Sequence, residues 1–78
     1  MNLKDLIEKY NLPEPDDYYE HNGYEKLEYY SGIELLTIYQ ECGDVYISVE
    51  KEHTGWTKPI KTDSDWELVA TFIRFLKG

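Results

Sequence analysis

The chain has 78 residues, 41% of them hydrophobic, and its eight Lys and Arg against sixteen Asp and Glu give a formal net charge of −8. This length suits one small domain over residues 1–78, and the apolar and aromatic content is too high for a disordered chain. The negative charge disfavours direct binding to nucleic acid, and no apolar run approaches the ~20 residues of a membrane span.

The first predicted element is a short helix. Apolar residues recur with helical spacing from Leu3 to Tyr10, and Asn2 is positioned to act as the N-cap. Two prolines end this pattern after Leu12. We expect the acidic residues 14–23 that follow to form an irregular arm, held to the domain by a tyrosine.

From residue 24 the apolar pattern changes to a period of two. Three runs with this period cover residues 24–30, 33–41 and 45–51, and the short connections between them contain glycine. They predict a three-stranded antiparallel meander with the run 33–41 at its centre. The alternation makes one sheet face apolar and leaves the other polar with aromatic side chains.

A C-terminal helix follows a predicted loop, residues 52–61, which is locally basic. Ser64 and Glu67 have the spacing of a capping box, and the helix runs to Lys77. The predicted fold is therefore α+β: an N-terminal helix, the three-stranded meander, and a C-terminal helix, with both helices on one sheet face. The predicted core consists of Leu6, Ile7, Val45, Ile47, Val49, Trp66, Val69, Ile73 and Leu76.

Residues that could support catalysis are scarce. The single cysteine, Cys42, excludes an internal disulfide and a Cys-rich zinc site, and its acidic neighbours disfavour a thiolate nucleophile. His21 and His53 stand alone, without the spacing of metal ligands. Asp63 and Asp65 suit a helix N-terminus without any metal. We predict no enzymatic activity, no cofactor and no metal site.

The strongest functional signal is the alternation of acidic residues and tyrosines between residues 14 and 30. Carboxylates pair with arginine, and tyrosine offers rigid contact area, so this surface suits a basic protein such as a nucleic-acid enzyme. This is the chemistry of a DNA-mimicking inhibitor. The predicted partner-binding residues are Asp16, Asp17, Tyr18, Tyr19, Glu20, Tyr24, Glu25, Glu28 and Tyr30.

Two resemblances point the same way. The opening residues 1–8, the meander and the closing residues 72–78 resemble small acidic phage-encoded anti-CRISPR proteins, which occupy the DNA-binding cleft of an RNA-guided nuclease. That resemblance implies carboxylates that stand in for DNA phosphates near the arginines that read the short duplex motif beside the target. A second resemblance, to the SUKH superfamily of immunity proteins, which are longer, rests on Leu12, Pro13, Tyr18, Asn22, Gly23 and residues 70–76. Both imply inhibition through a partner's surface.

Alternatives to this interpretation stay open. The acidic residues are equally typical of an ordinary solvated surface. A self-associating structural or assembly protein, of phage or bacterial origin, is the other class, driven by Leu68 and Phe75 at the edge of the apolar arc of the last helix. That arc covers about 220°, more than the ~100° of a surface helix. The inhibitor interpretation predicts a monomer or weak homodimer. Residues 1–5 lack the apolar core of a signal peptide, so we expect a cytoplasmic protein.

Overall fold

The computed structural model describes residues 2–78, and Met1 lies outside the described residues. Residues 2–78 form two α-helices and a five-stranded antiparallel sheet in which each strand pairs with its neighbours along the chain. The elements in chain order are α1 (Leu3–Lys9), β1 (Asp17–His21), β2 (Tyr24–Ser31), β3 (Glu34–Glu41), β4 (Asp44–Lys51), β5 (Thr54–Ile60) and α2 (Asp63–Lys77). The class is α+β, and β3 lies at the centre of the sheet, as predicted.

The prediction of a three-stranded meander was wrong, because the sheet has a further strand at each edge. β1 lies within the segment predicted as an irregular arm, and β5 lies within the predicted loop 52–61. Neither strand shows the alternation of buried and exposed residues that marks β2 to β4. Edge strands are held by backbone hydrogen bonds on one side alone, so β5 accommodates Pro59 in its interior.

Tight turns fix the register of the strands. Residues 22 and 23 connect β1 to β2, and residues 42 and 43 connect β3 to β4. In both turns the two residues have positive φ, at 50° and 84° for Asn22 and Gly23 and at 53° and 84° for Cys42 and Gly43. This geometry belongs to the type I′ turn, whose twist matches that of the strands it joins. Cys42 is therefore an exposed turn residue.

The core lies between one face of the sheet and the two helices. Leu27, Ile38 and Ile47 are direct neighbours across β2, β3 and β4, and they are 0%, 0% and 5% exposed. Leu6 of α1 and Ile73 of α2 belong to the same buried cluster. The nine predicted core residues all belong to this core: Leu6, Ile47, Val49, Trp66, Val69 and Ile73 are buried, and Ile7, Val45 and Leu76 pack against them partly buried. The prediction was incomplete, because it omitted eight further buried residues: Leu3, Leu12, Leu27, Tyr29, Leu36, Ile38, Ile60 and Ala70.

The end of α1 is attached to α2 through Tyr10. The Tyr10 ring stacks on Trp66 with a centroid distance of 5.3 Å, and its hydroxyl donates a hydrogen bond to Asp63. Nη2 of Arg74 donates to the backbone carbonyls of Tyr10 and Asn11, at 3.2 Å each. These contacts place both helices over the same face of the sheet.

The N-termini of the helices show one correct and one wrong prediction. The Asn2 side chain accepts a hydrogen bond from the Asp5 amide at 3.0 Å, so the predicted N-cap of α1 is confirmed. For α2 the predicted capping box of Ser64 and Glu67 is wrong, because the N-cap is Thr62 and its capping partner is Asp65. The Thr62 hydroxyl accepts from the Asp65 amide at 3.1 Å, and the Asp65 carboxylate accepts from the amides of Lys61 and Thr62. The backbone of Thr62 is extended and α2 begins at Asp63, so Ser64 is already inside the helix and cannot act as its N-cap.

We expect Thr62→Ala to lower the free energy of unfolding by about 1 kcal/mol, because an amide of the first helical turn loses its acceptor. Ser64→Ala is the matched control, and it should change the free energy of unfolding by no more than a few tenths of a kcal/mol. Urea denaturation of both variants measures the difference. An equal loss in the two variants would contradict the assignment of Thr62 as the N-cap.

Candidate protein-binding face

The sheet has a second face that points away from both described helices, and we call it the open face. Since Leu27, Ile38 and Ile47 face the helices, their neighbours along each strand point the other way. Side chains directly opposite one another in an antiparallel pair share a face. The register therefore places one row on the open face from β1 to β5, consisting of Tyr19, Lys26, Tyr39, Tyr46 and Pro59.

Four tyrosines on the open face are in contact in series. The rings of Tyr39 and Tyr46 stack with centroids 5.2 Å apart, and Tyr24 lies 6.3 Å from Tyr39. Tyr19 meets Tyr24 edge-on at 6.2 Å. All three distances fall in the range of favourable aromatic pairs, so the rings stabilise one another. We call Tyr19, Tyr24, Tyr39 and Tyr46 the tyrosine row.

Negative charge surrounds the tyrosine row. Among the described residues the register places one basic side chain, Lys26, on the open face, where its Nζ lies 3.7 Å from Glu28 and 5.6 Å from the centre of the Tyr19 ring. Acidic side chains outnumber it five to one, compared with two to one for the whole chain. The five are Asp17, Glu28, Glu41, Asp44 and Glu50. The open face is therefore the most acidic broad surface of the sheet.

Two pairs of these carboxylates are direct cross-strand neighbours. Asp17 lies opposite Glu28 on β1 and β2, and Glu41 lies opposite Asp44 on β3 and β4. Like charges at directly opposite positions destabilise a sheet. The repulsion within these two pairs therefore disfavours folding, and at Glu28 it is offset in part by Lys26, whose Nζ lies 3.7 Å away.

The structure brings five of the predicted partner-binding residues together on the open face. They are Asp17, Tyr19, Tyr24, Glu28 and Tyr30, which alternate along β1 and β2. Tyr19 and Tyr30 are 47% and 45% exposed. The acidic residues and tyrosines between residues 14 and 30 thus contribute to one surface, although only every second residue of β1 and β2 lies on it.

Asp16 does not lie on that surface, because it attaches the segment before β1 to the end of α2. Its Oδ2 accepts hydrogen bonds from Lys77 Nζ and from the Tyr30 amide, both at 2.7 Å. The Lys77 ammonium, followed by the Tyr30 amide, lowers the pKa of the Asp16 carboxyl below its ordinary value. The prediction of Asp16 as a partner contact overlooked this role in holding the fold together.

Tyr18, Glu20 and Glu25 lie on the side of the sheet that faces the helices. Glu25 is only 6% exposed, and its Oε2 accepts from the Leu3 amide at 3.2 Å and from the Tyr18 hydroxyl at 2.8 Å. A carboxylate at the first amide of α1 also interacts favourably with the helix dipole. Burial, followed by the Glu25 carboxylate, raises the pKa of Tyr18 to about 12. Glu25 and Tyr18 are therefore structural residues, and Glu20 follows the register of Glu25.

The prediction of partner-binding residues missed half of the open face. Tyr39 and Tyr46 belong to the tyrosine row. Glu41, Asp44 and Glu50 supply three of the five carboxylates of the open face. The available signal was the alternation along residues 33–51, since residues two apart share a face. To show that these residues share a face with the acidic residues and tyrosines of residues 14–30, the cross-strand register is needed, and the sequence pattern alone does not give it.

Other chemistry has little support in the described part of the chain. Within residues 2–78 no group of three His, Cys, Asp or Glu side chains could hold a metal ion. No helix among these residues is long and apolar enough to cross a membrane. No family model, curated protein or solved structure matches the chain, so the resemblances to anti-CRISPR and SUKH proteins stay predictions.

Adjacent tyrosines on opposite faces offer a test of this geometry. We expect Tyr18→Phe to lower the free energy of unfolding by about 1.5 kcal/mol, because the buried Glu25 carboxylate loses a hydrogen-bond donor. Tyr19→Phe should leave the free energy of unfolding within about 0.5 kcal/mol of the wild type. Chemical denaturation at pH 7 measures both. A larger loss in Tyr19→Phe would show that β1 has the opposite orientation.

Asp16 predicts a dependence of stability on pH. Because its pKa is lower in the folded protein than in the unfolded chain, ionised Asp16 stabilises the fold above the ordinary value of 3.8. This stabilisation is lost as the pH falls through the folded-state pKa. We therefore expect Asp16→Asn to be less stable than the wild type at pH 7, with a difference that shrinks as the pH is lowered below 3.8. Thermal unfolding from pH 7 to pH 2 measures it, and a difference that is constant with pH would contradict the ion pair with Lys77.

Proposed function

We propose that the open face binds a basic protein surface, and that the protein inhibits a nucleic-acid-binding partner by occupying the surface that its nucleic acid would use. The observation that carries this proposal is the tyrosine row surrounded by five carboxylates and one lysine on an uncovered sheet face. Phosphate groups would be repelled by this surface, whereas the arginines that bind phosphates would be attracted to it.

The dimensions of the open face support a partner contact that combines charge with aromatic area. Strands lie ~4.8 Å apart, so the row from β1 to β5 spans about 19 Å. Duplex DNA carries about eleven phosphates over that length, at one per ~1.7 Å. The five carboxylates of the open face reproduce less than half of this charge. Competition with DNA therefore depends on the tyrosine row as well, through the rigid contact area that tyrosines supply at interfaces.

The paired carboxylates give a physical reason for the choice of partner. An arginine placed between Glu41 and Asp44 would neutralise two charges that repel each other in the free protein. An arginine beside Asp17 would add to the partial compensation that Lys26 gives Glu28. Binding would then relieve a destabilising interaction and add charge-assisted hydrogen bonds. A lysine-rich or arginine-rich surface gains from this arrangement, and a neutral surface does not.

The test begins with capture of the partner from bacterial lysate on the immobilised protein, followed by elution with duplex DNA and mass spectrometry. We expect a nucleic-acid-binding protein that DNA displaces. For that protein, the double variant Glu28→Gln and Glu50→Gln should bind about tenfold more weakly, with a smaller dependence of affinity on salt.

The matched control removes the same charge from outside the sheet. Glu8 in α1 and Glu14 in the segment before β1 are both exposed, and changing both to Gln also reduces the net charge by two. We expect this control to bind within about twofold of the wild type, because the charges lie away from the contact. Equal weakening in both double variants would show a general charge effect and no role for the open face. Captured proteins that DNA fails to displace would contradict the inhibition of nucleic-acid binding.

A further inference from the structure

An apolar surface on the other side of the molecule extends beyond the buried core. Leu68, Phe72 and Phe75 of α2 are 71%, 37% and 86% exposed, and Trp56 of β5 is 47% exposed. The three helical residues have i, i+4, i+7 spacing, which places them on one side of α2. Trp56, Leu68 and Phe72 together line a groove of about 230 Å³ between β5 and α2. We call these four residues the apolar stripe.

The core does not account for the apolar stripe. The buried side of α2 is supplied by Trp66, Val69, Ala70 and Ile73, which are at most 7% exposed. Exposed large apolar side chains that cluster in this way mark interaction sites on soluble domains. The stripe therefore predicts a contact that is additional to the fold and separate from the open face.

The outer side of α2 has the spacing of a coiled-coil seam. Ser64, Leu68, Thr71 and Phe75 follow one another at intervals of four, three and four residues, and none of them is charged. This is the a and d spacing of a heptad repeat, the pattern through which two helices pack together. In the same heptad Glu67 and Arg74 both occupy g positions, on one flank of the seam.

We propose that the apolar stripe is the interface of a homodimer in which two copies of α2 pack antiparallel about a twofold axis. In antiparallel helix pairs the g positions face each other, so Glu67 of one copy lies beside Arg74 of the other, twice by symmetry. The Arg74 guanidinium is held in position, since its Nη2 donates to the carbonyls of Tyr10 and Asn11. Its remaining N–H groups are sufficient for a carboxylate.

The exposed area is adequate for a second copy. From their exposed fractions, the four side chains present roughly 450 Å² of apolar surface, given that an aromatic side chain has 150 to 250 Å². A stable interface buries about 800 Å² per partner, so the stripe supplies more than half of it and the surrounding residues supply the rest.

The distribution of charge also favours a second copy at this surface. Two chains of net charge −8 repel each other, and the repulsion is weakest where they meet far from their acidic faces. The helices cover the sheet face opposite the open face, so the homodimer keeps both open faces uncovered. The inference does not depend on the proposed function, because it concerns a different surface.

The experiment measures the mass of the full chain in solution by light scattering at 100 μM, and the dissociation constant by sedimentation. We expect the wild type at twice 9.3 kDa. Phe75→Glu should raise the dissociation constant about thirtyfold or more, because a large apolar contact of the seam is replaced by a charge. Phe75 is 86% exposed, so the variant should keep the far-UV circular dichroism spectrum of the folded chain. A monomeric wild type, or a dimer that Phe75→Glu leaves intact, would overturn the proposal.

Two controls make the test specific. Tyr19→Glu adds the same charge at a residue that is 47% exposed on the open face, on the opposite side of the sheet from α2, and it should leave the dissociation constant within about twofold. Glu67→Arg and Arg74→Glu should each weaken the homodimer. An equimolar mixture of these two variants should associate again, since both pairs in the mixed dimer are of opposite charge. Because Arg74 also holds the carbonyls of Tyr10 and Asn11, circular dichroism must first show that Arg74→Glu is folded. A mixture of folded variants that stays monomeric would show that the antiparallel arrangement is wrong.

Discussion

Burial of one face of the sheet is the constraint on which the rest of the structure depends. Leu27, Ile38 and Ile47 form a continuous apolar row across β2, β3 and β4, and this row must be covered for so short a chain to fold. Both helices pack on this row and cover it. Because side chains alternate along a strand, the same constraint determines which residues remain on the open face. The proposed binding surface consists of the strand residues that the core leaves on the opposite side of the sheet.

The attachments of the helices explain how acidic residues contribute to stability on one side and not on the other. Glu25 accepts hydrogen bonds from the first amide of α1 and from Tyr18, and Asp16 pairs with Lys77 at the end of α2. Each of these carboxylates has a donor that satisfies it. On the open face Asp17 accepts a hydrogen bond from the adjacent Tyr18 amide at 2.9 Å and Glu28 lies 3.7 Å from Lys26, so neither carboxylate attaches a helix to the sheet. The contrast separates acidic residues that hold the fold together from those available to a partner.

The two exposed surfaces differ in kind and lie on opposite sides of the sheet. The open face combines the tyrosine row with strong negative charge, which favours a basic partner and a rate of association that depends on salt. The apolar stripe on α2 and β5 includes an uncharged seam, which favours contact between two copies of the same chain. A homodimer through α2 would present two open faces at once, and linked sites bind a repetitive partner more tightly than single sites do.

The sequence by itself determined the α+β class, the central strands and part of the core, because a period of two in residues 33–51 and helical spacing in α2 are direct consequences of burial. It also located the acid and tyrosine block. Only the tertiary structure decided that β1 and β5 are strands, since edge strands form through backbone hydrogen bonds that leave no apolar pattern. It also decided that Tyr18 and Glu25 face the helices, whereas Tyr19 and Glu28 lie on the open face. The physical reason is that a one-residue change in register moves every side chain to the other face, and the register is a property of paired strands rather than of either strand alone.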